Sequence, residues 1–567
     1  MAGSGKIIAV AVSILLVVGV VIGAVVAVNH LDNGSSNNGG EVKTTNKAVT
    51  AVCQGADDEK LCHDVLAPVN TSNPKDYITQ VVKFSTDSVL KALNMSDRLM
   101  VENVANGTDG GIKMALDDCK DLLQSAIHEL EASGVFVDSQ SLPEVFTNSA
   151  ELKNWLGAVI AYQQSCLDGF ETDGEKQIQG QLQSESLDSV MKLTALALDV
   201  VSGISKVLSE FGLNLTNRPV RRLLEIDSDG FPTWFGFHER KLVNEAKQGS
   251  IVPNVVVAKD GSGQYKTILD AINAYPKKHK GRWVIYVKAG IYDEYITVDK
   301  KKPNIYMYGD GPSKTIITGR KNFAEGVKTM RTATFTTVAE GFLCKGIGFE
   351  NTAGPSGHQA VALRVMGDRS AFFDCAFRGY QDTLYAHAHR QFYSNCEISG
   401  TIDFIFGYAS TFVQNSKIIV RKPKENQQNI IVADGTDQKN MPSGVVLHNC
   451  QIIADPSLAA ENGKIRTFLA RPWKAYSRAV FIENTIGGFI HKDGYIPWQP
   501  ASPNTEHSYF AEFGNIGAGS DASGRIKWAK GLISKNEASK FTLDRFLQAS
   551  SWLPATGFAF DSSFTKN

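Results

Sequence analysis

Two segments in the C-terminal half of the chain repeat each other. Residues 369–384 read RSAFFDCAFRGYQDTL, and residues 390–405 read RQFYSNCEISGTIDFI. Aligned at an offset of 21 residues, they match Asp382 with Asp403. A fixed period of this size is typical of a solenoid, in which each repeat forms one coil stacked on the next. We therefore expect matched residues to lie one above another, about 4.8 Å apart.

The stacking would bring the carboxyl groups of Asp382 and Asp403 close together. Two carboxylates at that separation cannot both ionise cheaply, so the pKa of one is raised while that of the other stays low. In this way a general acid and a nucleophile can coexist at one pH. Aspartate also recurs at turns because it suits turn conformations, and the spacing alone leaves both interpretations open.

Strand-like sequence patterns extend through the rest of the C-terminal half. From Asn254 onward, short β-branched runs alternate with Gly, Asn and Asp, a pattern typical of strands. Pairs of apolar residues five positions apart recur every 20 to 34 residues, at Phe342/Ile347, Phe372/Phe377, Tyr393/Ile398, Val413/Ile418, Leu447/Ile452 and Phe481/Ile486. We predict a right-handed parallel β-helix over residues 251–560, with loops inserted at the longer spacings and a tail at 561–567.

The N-terminal half has a different period. A chain of 567 residues is expected to form two or more domains, and residues 48–213 have apolar residues at helical spacing. Short polar breaks between the helical segments predict an antiparallel four-helix bundle. An even number of cysteines in an exported chain indicates disulfides, and of three possible pairings we favour Cys53 with Cys62 and Cys119 with Cys166.

The N-terminus carries an export signal. Residues 7–28 form an uncharged apolar stretch of 22 residues, long enough to span a bilayer, which favours a signal-anchor over a cleaved signal peptide within residues 1–28. Residues 29–47 are rich in Asn, Gly, Ser and Thr and predict a flexible linker. Export would make three Asn-x-Ser/Thr motifs usable for glycosylation, those at Asn94, Asn106 and Asn214.

The two halves carry opposite charge. From Ile251 to the end there are 38 Lys and Arg against 27 Asp and Glu, a net charge of +11, and the preceding part carries −12. We expect the basic half to attract a polyanion and the acidic half to pair with it or cover it. Between them, the linker at 214–250 contains Arg221 and Arg222 within 218–224, a dibasic cluster that predicts a protease processing site.

Six motifs in the C-terminal half occur together in a fixed order. They are Val257-Ala-Lys-Asp-Gly-Ser-Gly263, Gly290-Ile-Tyr-Asp-Glu294, Gln359-Ala-Val-Ala-Leu363, Gln381-Asp-Thr-Leu384, Asp403-Phe-Ile-Phe-Gly407 and Leu469-Ala-Arg-Pro-Trp473. The set resembles the plant pectin methylesterases over residues 251–560. It departs from them at Ala470, where the family usually has Gly, and at Gly517-Ala-Gly519, where it usually has Gly-Pro-Gly. The helical region resembles the plant invertase and pectin methylesterase inhibitor family, although the segment from Cys53 to Cys62 lacks the usual Thr-x-Tyr-Pro.

The resemblance implies roles for individual residues. It implies Asp403 as the nucleophile, Asp382 as the general acid and later the base, Gln381 and Gln359 as stabilisers of the oxyanion, Arg471 as the group that orients Asp403, and Thr329, Gln359, Arg471 and Trp473 as substrate contacts. Tyr380 and Phe404 offer further flat faces for sugar rings. We expect His387 and His389 to be surface polar residues. Cys375 and Cys396, at matched positions, could form a disulfide or a buried ladder of thiols.

These roles imply a carboxylic ester hydrolase, a pectinesterase that removes methyl groups from homogalacturonan in the plant cell wall. The helical pro-region would inhibit the enzyme or aid its folding until it is cleaved. The expected partners are the polysaccharide, the pro-region, separate inhibitor proteins and a processing subtilase. No cofactor, metal or nucleic acid is expected, and a membrane only through residues 7–28. Two alternatives are another β-helix enzyme acting on pectin, a lyase or a glycosidase, and a catalytically silent pectin-binding or inhibitor protein.

Overall fold

The computed structural model describes residues 48–69, 71, 73–105, 110–203 and 251–565. The predicted signal-anchor at 7–28, the linker at 29–47, the processing site at Arg221 and Arg222, and the acceptors Asn106 and Asn214 lie outside these residues. In the described parts of the chain, no helix is both long and apolar enough to cross a membrane.

Helices make up the N-terminal region. They are α1 (Glu59–Leu66), α2 (Lys75–Ala105), α3 (Gly110–Ser139), α4 (Leu142–Thr147), α5 (Ser149–Asp168), α6 (Lys176–Leu182) and α7 (Asp188–Ser202), with a 3-10 turn at Asp173–Glu175 and a π turn at Gln183–Leu187. Residues 48–53 are also helical. The long helices α2, α3, α5 and α7 pack on one another through their apolar faces, which confirms the predicted four-helix bundle.

Two disulfides cross-link the bundle. Cys53 is bonded to Cys62 and Cys119 to Cys166, the pairing favoured from the sequence. The second bond joins α3 to α5 across 47 residues. It closes a long loop in the unfolded chain, so it is the bond that restricts the unfolded bundle most.

The C-terminal region consists of three parallel sheets. The first contains β1 (Val255–Val257), β2 (Trp283–Val287), β5 (Ile305–Gly309), β8 (Leu343–Lys345), β11 (Ser370–Phe373), β14 (Arg390–Ser394), β17 (Ser410–Gln414), β20 (Gly444–His448), β23 (Arg478–Ile482), β25 (Tyr509–Phe513) and β26 (Gly531–Leu532). The second contains β4 (Ile296–Val298), β7 (Phe335–Thr337), β10 (Leu363–Val365), β13 (Leu384–Ala386), β16 (Ile405–Gly407), β19 (Asn429–Asp434) and β22 (Thr467–Pro472). The third contains β3 (Gly290–Asp293), β6 (Thr315–Gly319), β9 (Gly348–Asn351), β12 (Ala376–Arg378), β15 (Glu397–Gly400), β18 (Lys417–Val420), β21 (Gln451–Ala454) and β24 (Thr485–Ile486).

Short helices lie between these strands or follow the last of them. The α-helical ones are Ile268–Asn273, Pro456–Ala459, Lys535–Ala538 and Leu543–Leu547, and the 3-10 turns are Phe323–Glu325, Thr329–Thr332, Pro355–Gly357, Ser539–Phe541, Ala549–Ser551 and Leu553–Thr556. Among them, the turn Thr329–Thr332 borders the cleft that contains Asp382 and Asp403.

The strand register reproduces the 21-residue repeat. Phe372 pairs with Tyr393 in the first sheet, and Phe377 pairs with Ile398 in the third. The rings of Phe372 and Tyr393 are stacked, with centroids 5.1 Å apart and planes 6° apart. From β2 to β22, each turn of chain thus contributes one strand to each sheet, and the predicted right-handed parallel β-helix is confirmed.

The matched cysteines form a ladder of free thiols. Cys375 and Cys396 are buried and unbonded, as are Cys344 and Cys450, so the disulfide considered between Cys375 and Cys396 is wrong and the buried ladder is right. The thiols of Cys375, Cys396 and Cys450 lie near backbone carbonyl groups, that of Cys375 at 3.4 Å from the Phe373 oxygen. The thiols therefore pack as small interior side chains.

The β-helix has a complete core of its own. The apolar residues inside its three sheets all come from residues 255–529, and none belongs to the bundle. The bundle core, in contrast, continues across the domain interface onto the outer surface of the β-helix, where it includes Met366, Ala388, Tyr408 and Met441. The β-helix can therefore bury its interior without the bundle, whereas the bundle rests on the β-helix.

Candidate active site

Asp382 and Asp403 occupy equivalent positions in successive turns of the β-helix. Each lies two residues before its strand, and the following Leu384 and Ile405 are paired in the second sheet. Both aspartates have left-handed backbone conformations, with φ of 63° and 50°, which Asp tolerates better than most residues. The two residues are 8% and 5% exposed. The repeat thus stacks two nearly buried carboxyl groups.

Arg471 binds only one of the two carboxyl groups. Its Nε donates to Asp403 Oδ1 at 2.8 Å, and its Nη2 donates to the other carboxylate oxygen. The guanidinium also lies over the ring of Trp498, with its carbon 4.1 Å from the ring centroid. This two-point contact fixes the orientation of Asp403 and balances its charge.

Asp382 has a different electrostatic environment. Burial raises its pKa well above the ordinary value for aspartate, and the charges of Asp403 and Glu171 raise it further. The charge of Arg471 acts in the opposite direction, but it is outweighed. Asp382 therefore holds a proton at a pH where an ordinary aspartate has lost it.

Both carboxyl groups face a cleft of about 380 Å³. Its floor is a row of residues in register on successive strands of the second sheet, namely Tyr385, Phe406, Ala433 and Arg471. The sequence-predicted residues Gln359, Gln381, Asp382, Asp403, Arg471, Thr329 and Trp473 all line this cleft. The structure thus brings together residues that are separated by up to 144 positions in the chain.

Of the two further predicted aromatic faces, that of Phe404 is wrong and that of Tyr380 stays a prediction. Phe404 is fully buried inside the β-helix. Tyr380 lies outside the cleft lining, where the guanidinium of Arg421 lies over its ring at 3.9 Å. The cleft instead uses Tyr385 and Phe406, whose rings are stacked with centroids 4.3 Å apart. The 21-residue alignment matches these two residues and could have identified them.

Gly407 closes the second aspartate motif for a steric reason. Its φ is 139°, and a Cβ atom at this position would lie 1.8 Å from the carbonyl oxygen of Ala386. No side chain fits there without movement of the backbone. The glycine therefore keeps the two turns that carry the aspartates at sheet spacing.

The bundle covers the cleft. Asp168, Phe170 and Glu171, at and just beyond the end of α5, line the same cavity as the two aspartates. The Ser165 hydroxyl lies 3.1 Å from the Tyr385 hydroxyl. The acidic N-terminal region therefore lies on the basic C-terminal one, one of the arrangements that the charge pattern predicted.

This cover also buries the two histidines beside the site. His387 and His389 are 0% and 7% exposed, so their prediction as surface residues is wrong. His387 Nε2 lies 2.8 Å from the Ser165 hydroxyl, and His389 Nε2 lies 3.2 Å from the Tyr162 hydroxyl. They would be polar surface residues on the β-helix alone, but the docked helix α5 removes them from solvent.

Ion pairs cross the interface on several sides of the cleft. In each pair the acid belongs to the bundle and the base to the β-helix, as in Glu175–Lys328, Asp118–Arg331, Glu151–Arg390 and Asp168–Lys474. At the centre of α5, Gly157 allows a close approach, since a Cβ atom there would lie 3.1 Å from the ring of Pro442. Charge and shape are thus both complementary across this surface.

Comparison with known proteins agrees with this architecture. Residues 254–550 match the family model of pectinesterases, and residues 47–200 match that of plant invertase/pectin methylesterase inhibitors. A probable pectinesterase/pectinesterase inhibitor 13 of Arabidopsis thaliana is 41% identical over 477 residues, covering 83% of this chain and 75% of the relative. A probable pectinesterase/pectinesterase inhibitor of Brassica napus is 37% identical over 579 residues, covering 97% and 98%.

Among solved structures, a pectin methylesterase from carrot is similar to the β-helix. It is 44% identical, with a TM-score of 0.55, and the match covers 56% of this chain and 99% of the carrot chain. The carrot chain thus corresponds to the β-helix without the bundle. The two family matches, the relatives that span both regions and the stacked aspartates in their cleft together show that this chain belongs to the pectinesterase family, with an N-terminal inhibitor-like domain.

Proposed function

We propose that the β-helix hydrolyses the methyl esters of homogalacturonan, giving pectate and methanol. The observation that carries this proposal is the asymmetric pair of aspartates, one bound by Arg471 and the other buried with a raised pKa, in one cleft. Such a pair supplies a nucleophile and a proton donor at the same pH. The related proteins named above are pectinesterases, which supports the choice of ester.

In the proposed mechanism, the Asp403 carboxylate attacks the ester carbonyl carbon. The C–O bond to the methoxy group breaks, and Asp382 gives its proton to the leaving oxygen, which releases methanol. Asp382, now ionised, then takes a proton from water as that water attacks the acyl-enzyme. This step frees the sugar carboxylate and restores Asp403.

Other cleft residues would stabilise these steps. The side-chain amides of Gln381 and Gln359 can donate to the oxyanion, a contribution of about 3 kcal/mol per donor. Trp473, whose ring borders the cleft beside Phe406, offers a face for a sugar ring. Thr329 also lines the cleft and would contact the substrate there.

We propose further that the bundle keeps the enzyme inactive. Its residues fill the mouth of the cleft, and its carboxylates pair with the cations that a polyanionic substrate would use. Cleavage near Arg221 and Arg222 by a subtilase would release it, and separate inhibitor proteins could act on the same surface. The chain would be exported to the cell wall through residues 7–28. Asn94, exposed on α2, is accessible for glycosylation.

Methanol release from highly methylated pectin tests these proposals. The chain from Ser250 onward is compared with the longer chain from Asn29. Activity in the short form and little in the long form would support both the esterase and its cover, while equal activity would leave the bundle with a role in folding or targeting. New reducing ends or unsaturated sugars would instead indicate a glycosidase or a lyase. No product from a folded protein would indicate the binding-protein alternative.

A further inference from the structure

A lysine in the cleft wall is buried against the bundle. The side chain of Lys328 is only 5% exposed, and its ammonium group lies 2.5 Å from the carboxylate of Glu175, which is 2% exposed. Lys328 lines the cleft that contains Asp382 and Asp403. A buried ammonium group needs an anionic partner, and here the partner comes from the bundle.

A second carboxylate of the bundle lies beside the first. Both oxygens of Glu171 lie 3.3 Å from the backbone N–H of Thr329, the residue after Lys328. Burial raises the pKa of Glu171, while hydrogen bonds from Thr329 and the charge of Lys328 act in the opposite direction. The β-helix thus presents two adjacent donors, an ammonium group and a backbone N–H, to two carboxylates.

The bundle's own backbone orients one of these two carboxylates. Glu175 accepts a hydrogen bond from the N–H of Thr172 in a capping box at the turn Asp173–Glu175. Its orientation is therefore fixed by the bundle's own backbone as well as by Lys328. Glu171 is near enough to Asp382 that its charge contributes to the raised pKa of that residue. The two donors that these carboxylates occupy, the Lys328 ammonium group and the Thr329 N–H, are therefore close to the reacting aspartates.

We propose that Lys328 and the N–H of Thr329 form a subsite for the carboxylate of a demethylated galacturonate residue. This proposal rests on the proposed function, because it takes galacturonan as the substrate. In the covered enzyme, Glu175 and Glu171 occupy the subsite in place of the sugar carboxylates. When the cover leaves, a substrate carboxylate takes the place of Glu175 beside the ammonium group of Lys328.

The subsite would set a preference for the neighbour of the ester that is hydrolysed. A methyl ester carries no charge and would leave Lys328 unpaired, at a cost in binding free energy. A chain that already has a free carboxylate at this position would bind better. Each hydrolysis produces such a carboxylate, so the reaction would favour esters beside existing acid groups.

Binding of fully demethylated oligogalacturonate to the full chain tests the subsite without turnover. The readout is tryptophan fluorescence, because Trp473 and Trp498 line the cleft. We expect weak binding to the unchanged chain and about tenfold tighter binding to the Glu175→Gln variant, whose cover no longer pairs Lys328 with an anion. Adding Lys328→Met should reverse that gain about tenfold, and Lys328→Arg should retain most of it.

Lys474→Met is the matched control, since Lys474 also pairs with a bundle carboxylate but lies outside the cleft lining. Equal losses from Lys328→Met and Lys474→Met, or no loss from Lys328→Met, would overturn the subsite. If the Glu175→Gln variant does not bind, the titration is repeated on residues 251–567, which have their own core. Absence of Lys328-dependent binding there also overturns the subsite. Methanol release by the same proteins is scored separately, so failure of the esterase proposal is distinguishable.

Discussion

The turns that carry Asp382 and Asp403 share a backbone but differ in their neighbours. Both residues have left-handed φ angles, and both precede strands that pair in register. Yet Asp403 receives two hydrogen bonds from Arg471, whereas Asp382 is surrounded by low-dielectric protein and by other negative charges. The repeat therefore fixes where the carboxyl groups lie, and residues outside the repeat decide what each can do.

The largest expected effect comes from exchanging each aspartate for its amide. Asn tolerates the left-handed conformation at both positions, whereas Ala would add backbone strain. In residues 251–567, Asp403→Asn should lower methanol release about 10⁴-fold or more, since no nucleophile remains. Asp382→Asn should lower it about 10²- to 10³-fold, since only proton transfer is lost. Circular dichroism checks the fold, and equal effects would contradict the division of roles.

A smaller effect is expected from replacing Arg471, the residue that makes the surroundings of the two aspartates different. Arg471→Met deprives Asp403 of its two-point contact and should lower kcat about 10²- to 10³-fold in methanol release. Arg378→Met is the matched control, because Arg378 bridges carboxylates of adjacent turns in the third sheet, away from the cleft. If both variants lose activity equally, Arg471 acts only through the stability of the β-helix.

The smallest expected effect is a change with pH in how strongly the bundle docks over the cleft. Burial raises the pKa of Asp382 and of Glu171 in the covered state. A carboxyl group whose pKa rises on docking binds its proton more tightly when docked, so docking strengthens as pH falls and weakens as pH rises through the raised pKa. Burial lowers the pKa of His389, but the charge and hydrogen bond of Glu129 and the charge of Asp368 together outweigh burial, and the net upward shift acts in the same direction. The lowered pKa of His387 opposes it.

The measurement is methanol release by the full chain relative to residues 251–567 at pH 5 and pH 8. We expect the full chain to be about threefold to tenfold more inhibited at pH 5. Inhibition that is stronger at pH 8 would mean that His387, or a group outside the interface, governs docking.

The features that obey the repeat could be predicted from the sequence. The 21-residue offset identifies the stacked aspartates, and the apolar pairs identify the interior of the β-helix, because parallel stacking carries each match directly into space. Arg471 has no counterpart in the repeat, and its role came from the resemblance to a family. The aromatic floor was partly missed: alternation along a strand would place Phe404 and Phe406 on the same face. The strand begins only at Ile405, so Phe404 lies in the turn after Asp403 and its ring enters the core instead of the cleft.

From the sequence, the docking of the bundle on the β-helix could be predicted only from the opposite net charges of the two regions. Opposite net charges indicated that the halves could pair, but they did not indicate that Glu175 meets Lys328 or that His387 is buried. Such contacts join residues 153 or more positions apart with no periodic relation. They depend on the surface shapes of the two folded domains, and no local sequence pattern predicts those shapes.

The bundle and the cleft belong to one polypeptide, and this determines the effective concentration of the bundle at the cleft. A tethered partner acts at an effective concentration in the millimolar range for short flexible tethers, and somewhat lower for longer ones. Polar contacts such as Asp168–Lys474 can therefore keep the cleft closed with modest intrinsic affinity. If the chain were cut between the two regions, closure would become bimolecular, and dilution alone would then open the cleft.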